Sequence, residues 1–194
     1  MTLIRVNPAS VRGYGTAAQG EFDAIAAELT RLADDVVAVR YFGPNAVAFK
    51  RDCGRLAEEF GRSLHRSMGA MADAVRVSTS NIAASLGGAP VDIHLADKAV
   101  IPPAPAVVDY VDVDTSALEA LVPVVERHFT SIRDALQRHL DALRRTDWDG
   151  NAKLNAVTSV QSLTSSAAAA GDEARVTLTS FIRDQIDRVV LADA

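Results

Sequence analysis

Cysteine occurs once in these 194 residues, at Cys53, so the chain forms neither an internal disulfide nor a thiolate zinc site. Aromatic residues make up only 5% and tryptophan appears once, at Trp148, while Ala and Leu abound. A core of small and aliphatic side chains suits closely packed helices. Basic charge is not in excess: 20 Lys and Arg, 17 of them Arg, stand against 25 acids, a net of −5. A nucleic-acid binder needs a basic footprint that this balance does not supply. Membrane-surface helices are usually rich in Lys or Arg on the polar face, so a membrane partner is not expected either. No run of about 18 apolar residues occurs, and Arg5 and Pro8 stand where a secretory apolar core would lie. The sequence predicts neither a transmembrane helix nor a cleaved leader.

What the chain does contain is a repeat. With 48% apolar and 23% charged residues it has the make-up of one globular domain or two small ones, and shifting it by 107 residues aligns its halves without a gap. Val6-Asn7-Pro8 then falls on Val113-Asp114-Thr115, Phe22 on Phe129, Ile25 on Ile132, Leu29 on Leu136, Arg31 on Arg138, Asp34 on Asp141 and Leu56 on Leu163. At the centre of each half, Tyr41-Phe42-Gly43 matches Trp148-Asp149-Gly150.

Phe22, Ile25, Leu29, Leu32, Val36 and Val39 lie 3, 4, 3, 4 and 3 residues apart, the seam of an amphipathic helix packed nearly parallel to a partner. Phe129, Ile132, Leu136, Leu140 and Leu143 repeat it. Beyond each glycine the period resumes, through Phe49, Cys53, Leu56, Phe60, Leu64, Met68, Met71, Val75 and Ile82. In the second half it runs more weakly through Leu154, Val157, Val160, Leu163, Ala167, Ala170, Ala174, Leu178, Phe181 and Val189. Four helices follow, over 8–40, 44–86, 116–146 and 151–191. Each hairpin bends where an aromatic ring folds over a glycine that takes a backbone angle other residues resist, and Pro44 suits the first turn of the second helix. Ser116 with Glu119 has capping-box spacing. Gly13, Gly15 and Gly20 should weaken the first helix, and Pro123 should kink or restart the third.

Gly87-Gly88-Ala89-Pro90 and Pro102-Pro103-Ala104-Pro105 mark a linker, which divides the chain into a first hairpin at 1–88, a linker at 89–112 and a second hairpin at 113–194. Helices of about 30 residues are roughly 45 Å long, while some 25 extended residues reach roughly 75 Å. The linker can thus start the second hairpin at the opposite end of the first. The expected fold is all-α: two helical hairpins packed antiparallel as a four-helix bundle.

Trp148-Asp149-Gly150 between two long amphipathic helices, with Tyr41-Phe42-Gly43 at the same place in the other repeat, resembles the WXG family of small proteins exported by type VII secretion systems of actinobacteria and related bacteria. Tyr41-Phe42-Gly43 departs from the motif by one conservative exchange of aromatic. The resemblance implies hairpins of about 100 residues that pair as antiparallel dimers, so this chain resembles such a dimer made covalent, an intrachain pseudo-dimer. The family's export element is Tyr-x-x-x-Asp/Glu beyond the second helix of one partner. Tyr110 and Asp114 have that spacing, though they align with Leu3 and Asn7 in the lead-in to a helix. Phe181-Ile182-Arg183-Asp184-Gln185 lacks both the tyrosine and the terminal acid.

Other constellations read as structure. Asp109, Asp112 and Asp114 start like a calcium loop, but Ala117 stands where glycine is required and Pro123 where the bidentate Glu should be. His128 and His139 are eleven residues apart on one helix face, with no Cys or third histidine alongside to support a metal reading. Gly13-Tyr14-Gly15 follows no strand and lacks the later glycine of a dinucleotide loop. Cys53 and the pair Met68 and Met71 lie on or near the apolar stripe, and Ala167 to Ala170 suit a close helix contact. No nucleophile, base and oxyanion site assembles.

The sequence thus points to a non-enzymatic interaction module with no metal, cofactor or small-molecule substrate. Its partners would be proteins: the secretion machinery, or a co-secreted or effector protein. The turn at Trp148 and the groove beside it are the first candidate docking surface. Export through a type VII system is the leading expectation. The alternative is a cytoplasmic adaptor or chaperone for a larger effector or toxin.

Overall fold

The computed structural model describes residues 4–86, 88–95, 105–108 and 110–192. Gly87, Pro102, Pro103, Ala104 and Asp109 of the linker lie outside the described residues. The chain is an all-α four-helix bundle. Its helices are α1 (Pro8–Ala38), α2 (Pro44–Leu86), α3 (Thr115–Arg145) and α4 (Asn151–Ala192). Among the described residues, four two-residue strands precede or separate them: β1 (Arg5–Val6), β2 (Tyr41–Phe42), β3 (Asp112–Val113) and β4 (Trp148–Asp149). Helix α2 packs on α4, α3 on α4 and α1 on α3.

The chain forms two compact units, and every helix contributes to both. Unit 1 comprises residues 1–25, 63–97 and 133–169, and unit 2 comprises 26–62, 98–132 and 170–194. The units are therefore not the repeats: each draws on both halves of the sequence.

The predicted seams are the core. In unit 1, Phe22, Ile25, Leu136, Leu140 and Leu143 are buried, with Leu64, Met68, Met71 and Val75 from α2 and Val160 and Ala167 from α4. In unit 2, Leu29, Leu32, Val36 and Val39 are buried with Phe49, Cys53 and Phe60, Phe129 and Ile132, and Leu178 and Ile182. One assignment fails: Leu154 is 64% exposed. The first turns of α4 bury Ala156 instead, so the seam there is made by a small side chain that hydrophobic periodicity overlooks.

The starts of α1 and α3 also differ from expectation. Helix α3 begins on Asp114, whose Oδ1 accepts the Ala117 N–H at 3.2 Å, and not on a Ser116–Glu119 capping box. Asn7, its counterpart in the repeat, caps α1 in the same way, its Oδ1 accepting from Ala9 at 3.1 Å and Ser10 at 3.3 Å. Both residue types are good N-caps because a short side-chain oxygen reaches amides that have no intrahelical partner. Pro123 sits inside α3 without ending it. Proline removes one amide donor and costs helix stability, but Leu121, Val122 and Val125 around it are buried in unit 2 and hold the helix in place. The glycines of α1 do not interrupt it either. At Gly15 the absent side chain has a use: a Cβ there would lie 3.1 Å from Cγ1 of Val91 in the linker.

Candidate functional site

In each unit the lead-in of one repeat pairs with the turn of the other. In unit 1, β1 runs antiparallel to β4, with Arg5 opposite Asp149 and Val6 opposite Trp148. In unit 2, β3 runs antiparallel to β2, with Tyr41 opposite Val113 and Phe42 opposite Asp112. The two registers are related by the 107-residue shift. The flanking hydrogen bonds obey it as well: Asn7 N–H donates to the Asp147 carbonyl at 2.8 Å, and Asp114 N–H to the Arg40 carbonyl at 3.1 Å.

The turns are built alike. Gly43 and Gly150 have φ of 117° and 125°, angles at which a Cβ would be strained. The aromatic residue two places earlier is the plug: Tyr41 is 4% exposed and Trp148 is 1% exposed. The Tyr41 hydroxyl accepts from Nε2 of Gln185 at 2.8 Å, whereas the Trp148 indole nitrogen is buried with no partner among the described residues. A lysine closes the end of the preceding helix in both. Lys153 Nζ donates to the Thr146 carbonyl in unit 1, and Lys50 Nζ to the Val37 carbonyl in unit 2, each at 2.7 Å. These carbonyls have no intrahelical amide, so a cation there satisfies them and suits the helix dipole. Burial lowers the Lys50 pKa, and its ammonium stands 5.0 Å from the centre of the Phe42 ring.

The remaining candidates separate. Tyr110 is 56% exposed and its ring lies against Phe42, while Asp114 is engaged as the α3 cap. Asp112 pairs with Arg40 at 3.1 Å. Asp149 is exposed and contributes its backbone to the β1–β4 pair. Cys53 is fully buried, and burial raises its thiol pKa far above the ordinary value. No metal-holding group of His, Cys, Asp or Glu occurs among the described residues.

The two histidines fall in different units and do different things. In unit 2, His128 Nδ1 lies 2.8 Å from Glu28 and Nε2 2.8 Å from Asp35. Glu28, which also accepts from Arg31, titrates below its ordinary value: burial works against this, but the hydrogen bonds and charges of His128 and Arg31 outweigh it. In unit 1, His139 is fully buried, 2.8 Å from the Tyr14 hydroxyl, stacked against the Tyr14 ring and tilted against that of Phe22. Burial lowers its pKa from 6.5 to about 4, with Glu21 opposing weakly. Between these values the unfolded chain binds a proton that the folded chain refuses, so stability falls as the pH drops from 6.5 towards about 4. The expected loss is about 3 kcal/mol. Denaturant melts of the parent and of His139→Gln, which cannot titrate but still reaches the Tyr14 hydroxyl, should differ by that slope. Parallel pH profiles would show that His139 takes up a proton in the fold as readily as in the unfolded chain.

Beside Trp148, unit 1 holds an open groove of about 740 Å³. Val6, Pro8 and Val11 line it from the start of the chain, Thr79 and Ile82 from α2, and Trp148 from the second turn. One wall is a linker segment, Gly88–Leu95, laid out as a strap. Val91 and Ile93 are buried while Asp92 and His94 are exposed, the alternation of an extended chain. The Val91 N–H donates to Thr79 Oγ1 at 3.0 Å. Gln19 clamps the backbone of His94, donating to its carbonyl and accepting from its N–H, both at 2.8 Å. The alternation Val91-Asp92-Ile93-His94 was a period-two signal within a segment whose glycines and prolines read as linker; nothing in the sequence pointed to Gln19.

Comparison with protein-family profiles, curated proteins and solved structures returns no match to this chain.

Proposed function

We propose that this chain is a covalently fused pseudo-dimer of WXG-type hairpins that works by protein contact in type VII secretion, as a substrate or as the partner of one. The observation that carries the reading is the reciprocal pairing of each repeat's lead-in with the other repeat's aromatic-glycine turn, in one register in both units. Two hairpins that close each other's turns in this way behave as the two halves of an antiparallel dimer. The buried aromatic plugs support a structural role for the motif, and the groove beside Trp148 supports docking as the mode of action. No part of the reading requires catalysis.

One observation favours the second reading, a cytoplasmic adaptor for a larger effector. Asp114 of the Tyr110–Asp114 pair is occupied as a helix cap and so is withdrawn from recognition as a linear export element. The two readings separate in an actinobacterial host carrying a type VII system, with the tagged chain followed in cells and culture filtrate. Under the first reading the chain reaches the filtrate, and does so only when the secretion ATPase is intact. Retention in cells alongside an effector that is itself exported would support the adaptor instead.

A further inference from the structure

We infer that the groove of unit 1 is a seat for an amphipathic helix from a protein partner, which lies alongside α1 over about four turns. The inference rests on the interaction-module reading and names the chemistry of its partner. Pro8, Arg12, Thr16 and Gly20 line the groove at every fourth position, and Asp23 follows them. All five are exposed. The groove thus tracks one ridge of α1 across fifteen residues, roughly 22 Å of helix. A ridge of every fourth side chain is what a second helix packs against. An extended occupant is at a disadvantage here. Thr79 holds the strap at Val91 and Gln19 holds it at His94, on opposite edges of an extended chain, so strand pairing with the strap is closed. A helix brings its own backbone hydrogen bonds and needs from this face only packing and charge.

The ridge is opened in this repeat alone. Under the 107-residue shift, Thr16 and Gly20 correspond to the bulkier Pro123 and Arg127, and Gly15 to Val122, whose side chain is itself buried. In repeat 1 Val91 of the strap lies against Gly15, whereas a Cβ built at Gly20 meets nothing within 4 Å. A bare backbone there lets a helix approach closely. At the Pro8 end of the ridge Val6, Ile82, Ala83 and Pro90 also line the groove, none of them buried, which gives aliphatic side chains of the occupant a place to leave water. Charge sets the direction. The Arg12 guanidinium has no partner among the described residues, and Asp23 commits one carboxylate oxygen to Gln19 at 3.0 Å. Eleven residues separate them, a spacing that returns to the same helix face after about three turns. A helix with an acid and a base eleven residues apart therefore meets both. With the acid nearer its N-terminus these charges also suit the occupant's own dipole, so it runs parallel to α1.

The test uses the whole chain and a synthetic probe: an acetylated, amidated, alanine-based peptide of sixteen residues, held helical by a lactam bridge on its far face. It carries glutamate third, leucine seventh and tenth, and lysine fourteenth. Saturable binding below about 1 mM is expected by polarisation of a labelled copy. Gly20→Leu, which fills open space on an exposed helix face, should weaken it at least about tenfold while leaving the melting curve no worse. Arg12→Glu should weaken it too, and a probe with lysine in place of the glutamate should recover the loss. A probe with proline ninth, which cannot keep its helix, should lose binding. The inference is overturned by no saturable binding, by equal affinity for Gly20→Leu, by failure of the charge exchange to restore binding to Arg12→Glu, or by undiminished binding of the proline probe, which would make the groove a seat for an extended chain. None of these failures touches the pairing of the repeats, which linker cleavage tests separately.

Discussion

Replacement of Trp148 by alanine is expected to destabilise the chain by about 3 to 5 kcal/mol, the usual range for deleting a fully buried large aromatic. The ring is 1% exposed and stands opposite Val6 in the β1–β4 pair, so its loss leaves a void beneath the point where the first repeat's lead-in closes the second repeat's turn. The indole nitrogen has no partner among the described residues, so the cost is one of packing and not of a broken hydrogen bond. Tyr41 provides the internal comparison. Tyr41→Phe keeps the ring in the equivalent turn but leaves the Gln185 amide without its acceptor, and should cost about 1 kcal/mol. Urea melts followed by circular dichroism measure both. A Trp148→Ala loss under about 1 kcal/mol would show that the ring serves as a contact for something outside the fold and not as its plug.

The parts of this fold that were legible in the sequence are those set by the burial of large side chains. Phe22, Ile25, Leu29, Leu32 and Val36 fixed α1 and its face, and the same spacing from Phe129 to Leu143 fixed α3, because a seam of large side chains has no other way to leave water. The glycines after Tyr41-Phe42 and Trp148-Asp149 fixed the bends for a steric reason that is equally local. Less legible was α4, where small or hydroxyl-bearing residues such as Ala156, Thr164 and Ala167 are buried and a hydrophobic count drew Leu154 inward wrongly. The helix starts were misread for a related reason. Ser116 and Glu119 match a local pattern, but the cap is set by where the chain leaves the β2–β3 pair, and that places Asp114 at the end of the strand. Asn7 and Asp114 were already aligned by the repeat, which held the answer without showing it. The strap was the least accessible: Gly15 counts against a helix by propensity and only makes sense once Val91 is known to lie on it.

Cleaving the linker between Ala99 and Pro105, largely outside the described residues, is expected to leave the two repeats bound to each other. Their contacts are distributed through both units. In unit 1, Tyr14 meets His139, and Arg138 grips Glu21 through Nε at 3.0 and 3.1 Å. In unit 2, His128 joins Glu28 and Asp35, Phe60 packs on Phe129 and Phe49 stacks on Phe181. Exposed ion pairs such as the one between Arg138 and Glu21 add little to such a contact, so the association must come from apolar burial. The seam side chains contribute about 1.5 to 3 kcal/mol each on full burial before entropy costs, and five to ten of them are enough to drive tight pairing. A lone hairpin of this size has too little core to keep its helices long and straight. The intact linker then mainly raises the effective concentration of one repeat at the other. Size-exclusion chromatography and circular dichroism of the cut chain at micromolar concentration give the answer. One peak with unchanged helicity is the expected result; two separate halves, each fully helical alone, would make the repeats independent hairpins on a string and end the pseudo-dimer account.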